Sequence, residues 1–227
     1  MSAETDGCII TFAGMRGSGK TTKLRDLVAE SRRLLVGDPE GKYDPGPHDE
    51  LVIGAAQLRQ VIAGRQLLNP YNGFRIVYRD HEAVMRHTCP GVAFALRDCT
   101  VLLEELACFC KPSYLPDELD NLIVHGRVRR VNVAGTTREP QEIHDRMFSQ
   151  ADLVYLFHFE PGNGLDRIRR RYKDVAEKLP QLGRFQYELR VQSMGLQEAA
   201  VLCKLSSEGH RNLDRKRPPR KAAPARS

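Results

Sequence analysis

GMRGSGKT, residues 14–21, satisfies the spacing G-x-x-x-x-G-K-[ST] at every fixed position. The apolar run CIITFA (8–13) precedes it and a helix-compatible segment, residues 22–35, follows. Strand, glycine loop and helix in that order form the context this spacing requires. Gly14, Gly17 and Gly19 let the backbone curl round a phosphate so that successive N–H groups, and the positive end of the next helix, point at it. Lys20 then places a point charge at the β- and γ-phosphates, and the Thr21 hydroxyl is a Mg²⁺ ligand. Gly14, Met15, Arg16, Gly17, Ser18, Gly19, Lys20, Thr21 and Thr22 are therefore the expected ATP-binding set.

Composition narrows the class. With 227 residues, 41% of them hydrophobic, the chain can bury one substantial core. No apolar run approaches the ~18 residues of a membrane span. Residues 1–7 have neither the basic start nor the apolar core of a signal peptide, so a cytosolic chain is expected. The six cysteines lack paired zinc-site spacing. Cys108 and Cys110, with His87 and Cys89, could supply ligands, but their apolar neighbours favour ordinary buried thiols. The net charge of +6 sits in residues 211–227, which hold seven basic residues against one acidic, leaving the rest neutral. That end is also rich in Pro and Ala, and the chain divides into a flexible start (1–7), one ATPase domain (8–205) and a basic, disordered tail (206–227). Arg215, Lys216, Arg217, Arg220 and Lys221 are its candidate DNA contacts; an anionic membrane surface is the second polyanion it suits, and a merely solubilising tail is the alternative.

Along the chain, RLLV (33–36) reads as a short strand entering a Gly/Pro/Asp-rich surface excursion that runs to residue 49. FRIVY (74–78) reads as a third strand, and residues 80–97 as a helical pattern broken at Pro90-Gly91. TVLLEE (100–105) ends a buried-strand run with two carboxylates. In a P-loop enzyme the first holds the hydrated Mg²⁺ and the second polarises the attacking water, which assigns Glu104 and Glu105. A short helix over 116–124, a strand at VNVAG (131–135), a helix over 141–149, a strand at DLVYLFHF (152–159), a helix over 165–179 and an edge strand over 185–191 complete the pattern. Thr136 and Thr137, at the end of the 131–135 strand, are candidates to reach the γ-phosphate opposite Lys20, and His158 reads as a polar-face or satisfied core residue. Strands alternating with helices, most of them continuously apolar, predict an α/β fold with a mainly parallel sheet covered on both faces. The 74–78 strand, falling between the loop strand and the acidic strand, fits the additional-strand, catalytic-glutamate division of P-loop NTPases, which includes RecA-like motors.

Three further stretches resemble a known group. GDPEGKYD (37–44) resembles the D-P-x-G-E-Y stretch of HerA and FtsK type ATPases, GRVRRVNVAGTTREP (126–140) their G-R…A-T-Q-R-P, and SQADLVYLFHF (149–159) the S-x-x-D-x-x-x-x-F strand that follows. A chain this short is most similar to the genome-packaging ATPases of tailless, internal-membrane (tectivirus-type) phages. The resemblance implies a ring, a hexamer, that hydrolyses ATP with Mg²⁺ and drives double-stranded DNA into a preformed procapsid, in the host cytoplasm or at the packaging vertex of the virion. It implies capsid or vertex partners and an arginine supplied across the subunit interface, matched by Arg127 with Arg130 as the alternative. Glu104 stands where the family has aspartate, and Thr137 where it has glutamine. A nucleoside or nucleotide kinase, with Arg167 and Arg169 to Arg171 as a phosphate lid, is the competing class; no N-K-x-D guanine signature occurs.

Overall fold

The computed structural model describes residues 6–192. The basic tail with Arg215, Lys216, Arg217, Arg220 and Lys221 lies outside them. Eight strands among the described residues form one sheet: β1 (Ile9–Ala13), β2 (Arg33–Gly37), β3 (Glu50–Ile53), β4 (Phe74–Arg79), β5 (Cys99–Leu103), β6 (Val131–Thr137), β7 (Leu153–Leu156) and β8 (Glu188–Val191). Their order across the sheet is β3-β4-β2-β5-β6-β1-β7-β8; the first seven are parallel and β8 closes the edge antiparallel to β7. The four central strands, β2, β5, β6 and β1, are buried at every position, as a sheet covered on both faces requires.

Side chains alternate between two cores. Ile10, Phe12, Leu34, Val36, Leu102 and Tyr155 face α1 (Lys20–Val28) through Leu24 and Val28. Ile9, Leu35, Val101, Val133 and Val154 face a thicker layer from α2 (Ala55–Gly64), α3 (Glu82–Leu96), α4 (Asp117–His125), α5 (Arg146–Ser149), α6 (Asn163–Arg171) and α7 (Lys173–Ala176). No described helix is long and apolar enough to cross a membrane.

The fold corrects several expectations. The strand inserted in space between the loop strand and the acidic strand is β6, whereas the 74–78 segment, β4, lies outside β2. The expected excursion ends at β3 and runs directly into α2, neither of which has a strong local pattern; β3 is an edge strand with Leu51 and Ile53 exposed. Pro90 does not break α3. Met85, Cys89, Ala93 and Leu96 bury one helical face, and this packing outweighs the loss of the proline N–H. The helix expected over 165–179 is divided at Tyr172 (φ −129°, ψ 60°), and the one expected over 141–149 is a 3₁₀ turn (Pro140–Glu142) followed by the short α5.

One buried cation ties the far end of the sheet together. Arg33, opening β2, is 1% exposed and donates to the carbonyls of Asp98 (3.1 Å), Asn69 (3.0 Å), Asn72, Leu67 (3.0 Å) and Leu96 (2.9 Å), in the segments that follow α2 and α3. Burial lowers its pKa. Several carbonyls converging on one guanidinium, with the charge of Asp98 nearby, offset part of the cost of burying it.

Candidate nucleotide-hydrolysis site

Parallel strands place all their C-terminal ends at one edge, and the loops there form the site. The loop between β1 and α1 is pinned on both sides: Gly14 N–H donates to Thr137 C=O (3.2 Å) at the end of β6, and Met15 N–H to His158 C=O (3.0 Å) beyond β7. Gly19 has φ +108° with the Phe185 ring directly against it, so a Cβ there would meet Phe185 Cδ1 at 2.6 Å; only glycine fits that turn and that contact. Phe185 N–H in turn donates to Ser18 C=O (2.9 Å).

A cavity of about 340 Å³ opens at this edge, lined by loop residues, by Glu104 and Glu105 after β5, by Thr136 and Arg138 from the end of β6, by Glu40 and Lys42 after β2, and by Arg184 and Phe185. Lys20 is 7% exposed and its Nζ donates to Gly14 C=O (2.5 Å) and Met15 C=O (2.8 Å). Burial lowers its pKa to about 8, against the opposing pull of Glu105 and Glu104, while Arg138 adds to the lowering. Thr21 Oγ1 donates to Glu104 Oε1 (2.9 Å), and Glu104 Oε2 is buried with no protein partner. Burial raises the Glu104 pKa; the Thr21 hydrogen bond lowers it, and the charges of Asp38 and Glu105 raise it further.

Glu105 is held differently. Its backbone sits in the left-handed region (φ +63°), fixed by its N–H to Thr136 Oγ1 (3.0 Å), and its Oε2 accepts from Arg138 Nε (2.5 Å). Arg138 Nη2 also reaches both oxygens of Glu40 (3.2 and 3.3 Å). The loop carrying Glu40 is folded round the fully buried Asp38, whose carboxylate accepts from Lys42 N–H (2.9 Å), Tyr43 N–H (3.1 Å) and Arg79 Nε (2.8 Å).

No protein-family profile and no curated protein matches the sequence. Solved structures do match. The genome packaging NTPase B204 from Sulfolobus turreted icosahedral virus 2 superposes with a TM-score of 0.63 at 15% identity over 81% of this chain and 92% of that one in its AMPPCP complex. The same protein with sulfate gives 0.64 at 15%, over 85% and 99%. The pCW3 conjugation coupling protein TcpA gives 0.52 at 12%, over 96% of this chain and 67% of that one. The chain has the RecA-like P-loop NTPase fold.

Within this fold the pairs Lys20-Thr21 and Glu104-Glu105, distant from each other in sequence, meet in one cavity. The extra methylene of Glu104 over aspartate is accommodated, since its carboxylate reaches Thr21. A hydroxyl and a buried carboxylate with one oxygen unpartnered is a donor set that suits Mg²⁺, whose remaining ligands are ordinarily water and phosphate oxygens. Ser18 Oγ, likewise buried and unpartnered, is a further free donor in the loop.

The other sequence candidates lie elsewhere. Thr137 is fully buried, its Oγ1 accepting from Glu139 N–H (3.2 Å), and it is Thr136 that lines the cavity. Arg127 and Arg130 precede β6, so they sit at the opposite edge of the sheet, roughly 20 Å from the P-loop at ~3.3 Å per strand residue. There Arg127 donates to the buried Asp152 (2.7 Å) and to Gln150 C=O (3.1 Å), and Arg130 pairs with Asp98. His158 is half-buried with Nδ1 unpartnered, which leaves the polar-face reading and removes that of a satisfied core residue. Of the cysteines, Cys8, Cys89, Cys99 and Cys110 are buried and Cys108 half-buried, as apolar-neighboured thiols should be. Three residues at the cavity, Arg138, Glu40 and Phe185, are not among those the P-loop and strand patterns single out. The first two stand inside stretches quoted for their resemblance, so a signal existed; Phe185 had none.

Proposed function

We propose that this chain is an ATPase that turns ATP hydrolysis into movement of double-stranded DNA, packaging a viral genome into a procapsid. The observation that carries the hydrolytic half is the convergence of Lys20, Thr21, Glu104 and Glu105 on one cavity with β6 between their strands. P-loop N–H groups and Lys20 bind the β- and γ-phosphates, and the helix α1 N-terminus adds its dipole. Thr21 and Glu104 would hold Mg²⁺, which supplies charge neutralisation at the phosphates. Glu105 orients a water on the γ-phosphorus: the water oxygen bonds to phosphorus, the bond to the bridging oxygen of ADP breaks with its electron pair staying on ADP, and the water proton passes to the Glu105 carboxylate.

The DNA half rests on two supports of lesser weight. One is the fold shared with a genome packaging NTPase and a conjugation coupling protein; the other is the resemblance of residues 37–44, 126–140 and 149–159 to HerA and FtsK type stretches. Assembly into a ring, a hexamer, with Arg127 or Arg130 of one copy serving its neighbour's cavity, belongs to the same proposal, as do capsid partners and the basic tail as a DNA contact. The deciding experiment measures ATP hydrolysis by an oligomeric fraction of the full chain with and without duplex DNA. Stimulation by DNA is expected. Hydrolysis indifferent to DNA, with phosphate transfer to a nucleoside or nucleotide, would establish the kinase class instead.

A further inference from the structure

Two of the cations that line the cavity, Lys20 and Arg138, are engaged with the protein's own oxygens. Lys20 is turned back on two loop carbonyls, and Arg138 is clamped between Glu105 and Glu40. The Arg138 contact bears directly on chemistry, because Glu105 Oε2 is engaged by Nε at 2.5 Å. An oxygen whose lone pair and charge are given to a guanidinium is a poor acceptor for the proton of an attacking water. Arg138 also lies on the same cavity wall as Lys20 and Thr21, is about one-third exposed, and leaves the end of a rigid central strand.

We propose that Arg138 exchanges partners during the reaction and is the cis ligand of the γ-phosphate. In the structure it holds Glu105; when a γ-phosphate enters, the guanidinium turns to its oxygens while Glu40 keeps Nη2 as a pivot. Glu105 Oε2 is then free for water. Loss of the γ-phosphate as inorganic phosphate returns the guanidinium to Glu105. The physical basis is competition: a terminal phosphoryl group offers more charge, spread over three oxygens, than one carboxylate, and the planar fork of arginine can serve two acceptors at once. ADP has no group to draw Arg138 away, so the exchange makes the cavity distinguish triphosphate from diphosphate. This inference rests on the ATP-hydrolysis half of the proposed function and is independent of DNA.

The test measures binding of Mg²⁺–ADP and of a non-hydrolysable Mg²⁺–ATP analogue to the full-length wild type, Arg138→Ala and Arg138→Lys, together with kcat and KM for ATP. Arg138→Ala should lose the analogue-over-ADP preference by ~10-fold or more through the analogue alone, a charge-assisted bond being at stake. Its kcat should fall by about 10²-fold. Arg138→Lys, which keeps the charge and loses the fork, should regain part of the preference, and it decides the matter if Arg138→Ala does not fold. An unchanged preference in a folded variant, or a kcat that rises because Arg138 merely restrains Glu105, overturns the exchange. A wild type that hydrolyses ATP alongside such a result sinks the exchange alone; a wild type that binds neither nucleotide sinks the ATP reading with it.

Discussion

Raising the pH from 7 to 9 should weaken ATP binding about tenfold, through Lys20. Burial under the P-loop lowers the Lys20 pKa from 10.5 to about 8, although Glu105 and Glu104 both favour the ammonium. A lysine that titrates near 8 is about 90% charged at pH 7 and about 10% charged at pH 9. The β- and γ-phosphates bind the ammonium and not the amine, so above pH 8 each nucleotide must bring a proton with it. The affinity therefore falls about twofold at pH 8 and about tenfold by pH 9. The same lowering makes a statement about the fold. Below pH 8 the chain carries a buried ammonium at a cost of roughly 3 kcal/mol. Between about 8 and 10.5 the folded state has released the proton and the unfolded state has not, so the contribution to stability rises with pH across that window and is absent below it. Calorimetric titration in buffers of different ionisation enthalpy reads both quantities, giving the affinity and an uptake of about one proton at pH 9. Lys20→Arg keeps its charge and should bind with a flat pH profile over 7–9. A wild-type affinity that is constant over that range with no proton uptake would refute the assignment of a neutralising lysine under the loop.

Three other perturbations follow from the same contacts. Glu105→Gln should retain nucleotide binding while hydrolysis falls by at least about 10²-fold in a phosphate-release assay; wild-type turnover would remove Glu105 from its role. Arg33→Met exchanges a guanidinium bonded to the buried carbonyls of Asp98, Leu67 and Leu96 for a thioether and takes that donor from all three, so denaturant unfolding should show a loss of ~3 kcal/mol or more. Arg127→Ala leaves the buried Asp152 carboxylate without its 2.7 Å partner and should destabilise the isolated subunit by ~1–3 kcal/mol, discounted for the arginine's partial exposure. Adding Asp152→Asn to Arg127→Ala should recover much of that stability. If hydrolysis in mixed assemblies returns with it, the loss came from the fold and not from a missing arginine at a neighbour's site.

Much of the site was legible because its determinants are local. The glycine loop works through consecutive backbone groups, so its spacing is visible in residues 14–21, and the acidic pair closes an apolar run that burial makes conspicuous. The parallel sheet was equally visible in β1, β2, β5, β6 and β7, whose mainly apolar runs, alternating with helical segments, suit strands covered on both faces. The edge strand β3, partly exposed, has no such mark. Helix ends misled for a related reason. Pro90 looked like a stop, yet a buried face kept α3 whole, and residues 165–179 looked continuous, yet Tyr172 departs from helical geometry.

By itself the sequence determined that a glycine loop of phosphate-binding spacing would join a strand to a helix at residues 14–21, that two carboxylates would stand at the end of a buried strand, and that strands and helices would alternate around a parallel sheet. Tertiary structure decided which strand separates loop from carboxylates, and it is β6, not the 74–78 strand that intervenes along the chain. It also decided that Arg138 meets Glu105 and Glu40, that Phe185 covers Gly19, and that Arg127 and Arg130 stand at the far edge. The reason is common to all of these. A strand's position in a parallel sheet, and an ion pair between residues 33 or 98 positions apart, are set by crossovers and packing that no local window contains.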